Sequence, residues 1–264
     1  MCISQSVGTN AANKQSDIRT IQLLLNFNID RLTPLAPLKT DGCIGPATIQ
    51  AITQFQRTVI GQANPTGRIE PGDPTLGQLR KAIPTVITAA LLKALMPDAT
   101  SAAITRYFHA LIEGMTGNGI NTPLRQAHFI AQVGHESSDF RYCEEIASGT
   151  AYEGRTDLGN TNPGDGPKFK GRGLIQITGR ANYMSYGRDK GRDFINPPNY
   201  ELIATDPEFA VDVACWFWTR HGLNALADAD DVRAITKVIN GGYNGLADRQ
   251  ARLDRAKCFL SIRA

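Results

Sequence analysis

Residues 134–145, GHESSDFRYCEE, gather groups able to move protons: His135, Glu136, Asp139, Glu144 and Glu145. Two carboxyl groups facing each other across a substrate are what cleavage of a sugar–sugar bond requires. One, protonated, gives its hydrogen to the leaving oxygen; the other, ionised, activates water or attacks the anomeric carbon. A gap of about 6.5–9.5 Å leaves room for water and inverts the centre, and about 5–5.5 Å gives retention; spacing along the chain is compatible with both. The plainer reading, a solvated helix end rich in acids, fits the same residues.

The preceding stretch, LRQAHFIAQVGHES, places Ala127, Ile130, Ala131 and Gly134 on one helical face. Glu136 lies two positions beyond Gly134, about 200° round the helix, and so is not a further core position. At a helix end, covered by Phe140 and Tyr142, its carboxyl is expected to resist ionisation and to remain a proton donor. A zinc site of the HExxH kind would need a histidine at position 139, which is Asp139. His128 shares a face with His135, but no third ligand accompanies them, so neither metal nor cofactor is expected.

A second dense stretch, FKGRGLIQITGRANYMSYG, covers residues 169–187. Ile175 and Ile177 alternate with Gln176 and Thr178, a strand-like pattern that would show the amide and hydroxyl on one face, where they suit sugar hydroxyls, N-acetyl groups or water. The GRG triplet lacks the Lys-Ser/Thr ending of a phosphate-binding loop.

The elements that must position these groups divide into two segments of 264 residues, and the length itself suggests two domains. Residues 1–80 predict a small helical unit. SDIRTIQLLLNFN opens at Ser16 or Asp17 as N-cap, TDGCIGPATIQAITQFQ turns at Asp41-Gly42 with Pro46 in a first helical turn, and a short helix carries Leu76 and Leu79. Asp41-Gly42 lacks the repeated acidic ligands of a calcium loop. Residues 81–89, broken by Pro84, are expected to be a linker. Residues 90–264 predict a larger, mainly helical domain with a short hairpin, in which Asp206-Pro207 opens one helix and Gly222 and Gly241 stop two others. Residues 148–170, rich in Gly, Asn and Pro, are expected to form a functional loop.

A net charge of +3 is too small to argue for nucleic acid, and no apolar run approaches the ~20 residues of a membrane span. The first residues lack the basic start and apolar core of a secretory signal. Cys2, Cys43, Cys143, Cys215 and Cys258 are odd in number and scattered, so reduced thiols and synthesis in a reducing cytoplasm are expected.

Two resemblances add to this reading. Asp41, Gly42, Gly45, Thr48, Ala51, Ile52, Phe55 and Gln56 resemble the three-helix peptidoglycan-binding module of wall hydrolases. HES-x-x-F, EE, KGRGLIQIT-G-x-x-NY and INGGYNG-x-x-x-R resemble the chitinase-like glycoside hydrolases of family 19, in the lysozyme form carried by phage endolysins. The likeness implies a helical, metal-free, inverting muramidase that cuts between N-acetylmuramic acid and N-acetylglucosamine. It makes Glu136 the general acid, Glu145 the general base and Thr178 the holder of the attacking water, with Glu144 an open alternative to Glu145. Gln176, Asn182 and Tyr183 would line sugar subsites, and His135, Asn240 and Arg249 would shape the cleft. It further implies a monomer made in the host cytoplasm and released by a holin onto the peptidoglycan of a Gram-negative host, with neither nucleic-acid binding nor stable membrane insertion. A lytic transglycosylase, which needs one acid, and a non-catalytic wall-binding or virion protein are the competing readings.

Overall fold

The computed structural model describes residues 2–260, and they are mainly helical. Two compact units emerge: one comprises residues up to Pro97 together with those from Leu253 on, the other Asp98–Arg252.

In the first unit, α1 (Gln15–Asn26), α2 (Pro46–Phe55), α3 (Pro74–Arg80) and α4 (Ala89–Leu95) accompany one two-stranded ribbon. The ribbon pairs β1 (Val7–Gly8) with β2 (Arg68–Ile69) antiparallel. Ile18, Ile21, Leu24, Ile52, Phe55 and Leu79 are buried, as their spacing predicts. Pro46 opens α2, and Asp73 caps α3 by accepting from the Thr75 amide. Asp17 does not cap its own helix: it is buried in the first turn of α1 and accepts from the Ser4 and Gln5 amides. The Asp41-Gly42 turn is tied to α1 by buried Gln22, whose Nε2 donates to Asp41 at 3.2 Å and whose Oε1 accepts from the Gly42 amide at 2.9 Å. The motif around Asp41 is therefore partly a device that fixes the loop.

Two expectations are corrected by the fold. Residues 81–89 do not separate one domain from the other, because the first unit continues through α4, whose Leu91, Leu92 and Leu95 are buried. Nor are all five cysteines thiols: Cys2 and Cys258 form a disulfide, with Cα atoms 4.8 Å apart. Scattered positions concealed the pair because the last residues return to the first unit, where Phe259 meets Phe27 at 6.0 Å.

The second unit holds α5 (Ser101–Gly117), α6 (Pro123–Glu136), α7 (Asp165–Lys168), α8 (Arg180–Lys190), α9 (Leu202–Thr205), α10 (Pro207–Arg220), α11 (Leu223–Asp228) and α12 (Val232–Asn240). The helix α13 (Leu246–Phe259) begins here and ends in the first unit. α5 lies close against α10, where a Cβ on Gly114 would sit 3.0 Å from Val211. Phe129 of α6 meets Trp218 of α10 edge to face at 5.3 Å, and both are fully buried. Aromatic burial of this kind contributes the bulk of core stability. Asp206 caps α10 with Pro207 behind it, and α12 stops at Gly241 in the left-handed conformation, as the sequence predicts.

The expected hairpin and strand are absent among the described residues of this unit. In their place stand isolated bridges from Arg172 to Glu144 and Ile177. Gln176 has φ +58°, which breaks the alternation that Ile175–Thr178 suggested. The 148–170 stretch holds two single turns, Thr150–Tyr152 and Thr156–Leu158, before α7.

Candidate active site

Glu136 is the last residue of α6, a helix capped by Thr122 and opened by Pro123. Beyond it the backbone takes a costly path: Ser138, Asp139 and Phe140 have φ of +49°, +56° and +65°. Non-glycine residues in this region cost of order 1–3 kcal/mol each, so other contacts must hold them. Ser137 Oγ donates to the Val133 carbonyl at 2.7 Å and accepts from the Phe140 amide at 2.9 Å. Asp139, buried, accepts from the Asp98 amide at 3.0 Å and pairs with Arg252.

The expected aromatic cover over Glu136 is replaced by a cation. Phe140 packs on Tyr107 at 5.1 Å and Tyr142 lies under Arg141, while Glu136 Oε1 accepts from Arg249 at 2.5 Å. Arg249 is wholly buried; its second arm reaches Gln132 Oε1, one turn back on α6. Its role is thus to fix the end of α6 from within. His135, next to Glu136, is gripped as well. Its Nδ1 lies 2.7 Å from Asp248, and Gly245, with φ +73°, passes so close that a Cβ there would fall 2.2 Å from the ring. Asp248 also accepts from Arg252 at 2.7 Å. The bond from His135, and after it the bond and charge of Arg252, hold the Asp248 carboxyl well below the usual range against the opposing effect of burial. Asp248, Arg249 and Arg252, on the first turns of α13, together clamp α6 and the loop behind it.

A second cluster forms around Gly171. The Glu145 amide donates to the Gly171 carbonyl at 2.9 Å, and the Gly171 amide donates to Glu145 Oε2 at 3.1 Å. A Cβ on Gly171 would lie 3.0 Å from Gln176 Oε1 and 3.4 Å from both Glu145 Oε2 and Thr178 Oγ1. Three predicted residues therefore converge on one backbone position. Asn182, half-buried, donates to the Thr178 carbonyl at 2.8 Å. Glu144 turns elsewhere: it is paired with Arg172 at 2.9 Å and with Lys170 at 3.4 Å. Of the two neighbouring acids, Glu145 is the one beside Gln176 and Thr178.

Other predicted residues are placed differently. Tyr183 is fully buried, donates to the Lys170 carbonyl at 2.7 Å and accepts from Arg172 at 3.1 Å. Burial pushes its phenol above the ordinary range, and it supports the 170–172 backbone instead of lining an open subsite. Asn240 is exposed on the last turn of α12 and has no hydrogen bond to either acid among the described residues. His128 is fully buried and pairs with Asp230 at 2.8 Å. No cluster of metal-ligating side chains occurs among the described residues.

Sequence reasoning missed Tyr152, whose hydroxyl donates to Glu145 Oε1 at 3.0 Å. It also missed Gln132, Asp248 and Arg252. No periodicity marks Tyr152; the spacing Asp248, Arg249, Arg252 along one helix was the available signal for the others.

These features define a carboxylate-bearing helical domain of the glycoside hydrolase type. The profile of the family described as "Chitinase class I", glycosyl hydrolase family 19, matches residues 114–251, and the chain belongs to that family. A Haemophilus influenzae glycosyl hydrolase family 19 domain-containing protein is 32% identical over 185 residues, covering 58% of this chain and 88% of that protein. An Arabidopsis thaliana endochitinase is 32% identical over 171 residues, covering 62% of this chain and 58% of its own. The match thus leaves over a third of that plant enzyme outside. Among solved structures, a class IV chitinase from Zea mays superposes with a TM-score of 0.50 at 25% identity, covering 66% of this chain and 91% of that one. Chitinase C from Streptomyces griseus superposes with a TM-score of 0.51 at 23% identity, over 67% of this chain and 76% of that one, and so bears on the fold alone.

Proposed function

We infer that this family 19 glycoside hydrolase is an endolysin-type muramidase, cutting the β-1,4 bond between N-acetylmuramic acid and N-acetylglucosamine with inversion. The observation that carries the reading is that Glu145 Oε2, Gln176 Oε1 and Thr178 Oγ1 gather around Gly171, each within 3.4 Å of where a Cβ on that residue would sit. A base, an amide and a hydroxyl so gathered are equipped to hold and deprotonate one water. Glu136 then gives its hydrogen to the leaving oxygen, from the carboxyl that Arg249 fixes. The attacking water loses a proton to Glu145, its oxygen bonds to the anomeric carbon, and the glycosidic C–O bond breaks.

The first unit is read as the wall-binding part. Its support is the motif from Asp41 to Gln56 and a cavity of about 460 Å³ beside it, lined by Gln22, Leu35, Pro37, Lys39, Asp41 and Thr48. The partner is periplasmic peptidoglycan of a Gram-negative bacterium, reached after a holin opens the inner membrane, with the protein acting as a monomer in host lysis.

Glu136→Gln and Glu145→Gln test the reading. Acid and base each contribute on the order of 10²–10⁴-fold, so both variants should fail to clear permeabilised cells while still sedimenting with purified wall. Full lysis by Glu136→Gln overturns the assignment. The naming of related plant proteins as endochitinases favours a second reading, cleavage of poly-N-acetylglucosamine. Faster turnover of chitin oligomers than of peptidoglycan would establish it.

A further inference from the structure

A catalytic base must present one lone pair at a fixed angle, yet a glutamate side chain has several rotatable bonds. Two hydrogen bonds settle the matter for Glu145, one at each oxygen. The bond to Oε2 comes from the Gly171 backbone and accompanies the pairing of the two segments. The bond to Oε1 comes from the Tyr152 hydroxyl, and a whole loop is organised to bring it there.

Tyr152 ends a single turn that starts at Gly149, whose φ is +81° and whose Cβ position lies 2.7 Å from the Gly166 carbonyl oxygen. Only glycine fits that crossing. The Tyr152 amide donates to the Gly149 carbonyl at 2.9 Å, and the Tyr152 carbonyl accepts from Asn160 at 2.9 Å. Asn160, fully buried, accepts from the Arg180 amide at 2.8 Å, and Arg180 grips buried Asp165 with both arms, at 2.8 and 2.7 Å. The neighbouring Glu153 accepts from the Gly164 and Gly166 amides at 2.6 and 2.7 Å. An irregular segment is thereby tied down on both sides of one phenol.

We propose that Tyr152 is a positioning residue for hydrolysis, its hydroxyl aiming the Glu145 carboxylate at the attacking water, with residues 148–170 as the frame that delivers it. The proposal rests on the reading of Glu145 as base. Burial, and then the bond and charge of Glu145, push the Tyr152 phenol upward, so it keeps its hydrogen through the working pH range. A phenol that donates to one lone pair leaves the others for water.

The test compares Tyr152→Phe, Tyr152→Ala and Glu145→Gln in the full chain, on purified peptidoglycan, with kcat, KM and melting temperature measured for each. Tyr152→Phe should lower kcat by roughly 10- to 100-fold, the effect of losing a hydrogen bond to a charged group. KM should stay within about twofold and the melting temperature should hold, because the ring remains. Tyr152→Ala should be as slow as Tyr152→Phe. In the Glu145→Gln background, Tyr152→Phe should cause no further loss, since its effect passes through that carboxylate. A wild-type rate for Tyr152→Phe with a slow Tyr152→Ala would show that only ring packing matters and would overturn the proposal. Undiminished activity of Glu145→Gln would overturn the assignment of the base itself, a different failure.

Discussion

Arg249→Lys isolates geometry from charge. The guanidinium uses two arms on two acceptors one turn apart on α6, Gln132 Oε1 and Glu136 Oε1. An ammonium is a single point and can serve only one of them well. The lost bond is worth about 2 kcal/mol, as for hydrogen bonds to charged groups. Against this, Arg249 Nε is buried without a hydrogen-bond partner among the described residues, and removing that donor recovers about 1 kcal/mol. The net destabilisation is therefore about 1 kcal/mol, a fall in melting temperature of about 2–4 °C for a unit of this size. Catalysis has no such offset. A carboxyl displaced by about 1 Å loses on the order of 10²-fold in rate. Thermal unfolding and initial rates on purified peptidoglycan, measured on the same preparation, should thus diverge: a nearly native melt and a rate down about a hundredfold. A rate within threefold of wild type would refute the view that Arg249 sets the position of Glu136. Activity lost in step with a melting temperature more than about 10 °C lower would reduce Arg249 to a core residue.

Gly171→Ala places a methyl 3.0 Å from Gln176 Oε1 and 3.4 Å from Glu145 Oε2 and Thr178 Oγ1; kcat should fall by about tenfold or more with the fold retained, and an unchanged kcat would deny the convergence its role. Asp248→Asn should destabilise at neutral pH, since the folded carboxyl titrates below its ordinary 3.8. That contribution is fully present above about pH 4 and fades as pH falls through the lower folded value, so the gap in melting temperature between variant and wild type should close in acid. Reducing Cys2–Cys258, or replacing Cys258 by serine, should destabilise by about 2–4 kcal/mol; a melting curve indifferent to reductant would show that the bond contributes little.

Helix boundaries were legible because the local chemistry at them is strong. Pro46 and Pro207 open helices, and Gly222 and Gly241 stand where two of them stop. The end of α6 at Glu136 was likewise anticipated. What escaped depends on contacts distant in sequence. Cys2 and Cys258 are separated by 256 positions, and nothing local marks them as partners. The Arg249–Glu136 pair spans 113 positions and replaces the aromatic cover that Phe140 and Tyr142, near in sequence, suggested. Gln176 reads as a strand residue by alternation, yet its left-handed backbone belongs to a tight turn closed by Arg172 and Ile177. Tyr183 reads as a sugar contact by motif, but its burial assigns it to the support behind the loop.

The most direct test is the chemistry of the ends released from purified Gram-negative peptidoglycan digested in heavy-oxygen water. Water-mediated cleavage by Glu136 and Glu145 predicts reducing N-acetylmuramic acid ends carrying one solvent oxygen, with the anomer formed first being the inverted one. Anhydro ends without label, or glycan strands left uncut, would contradict the account.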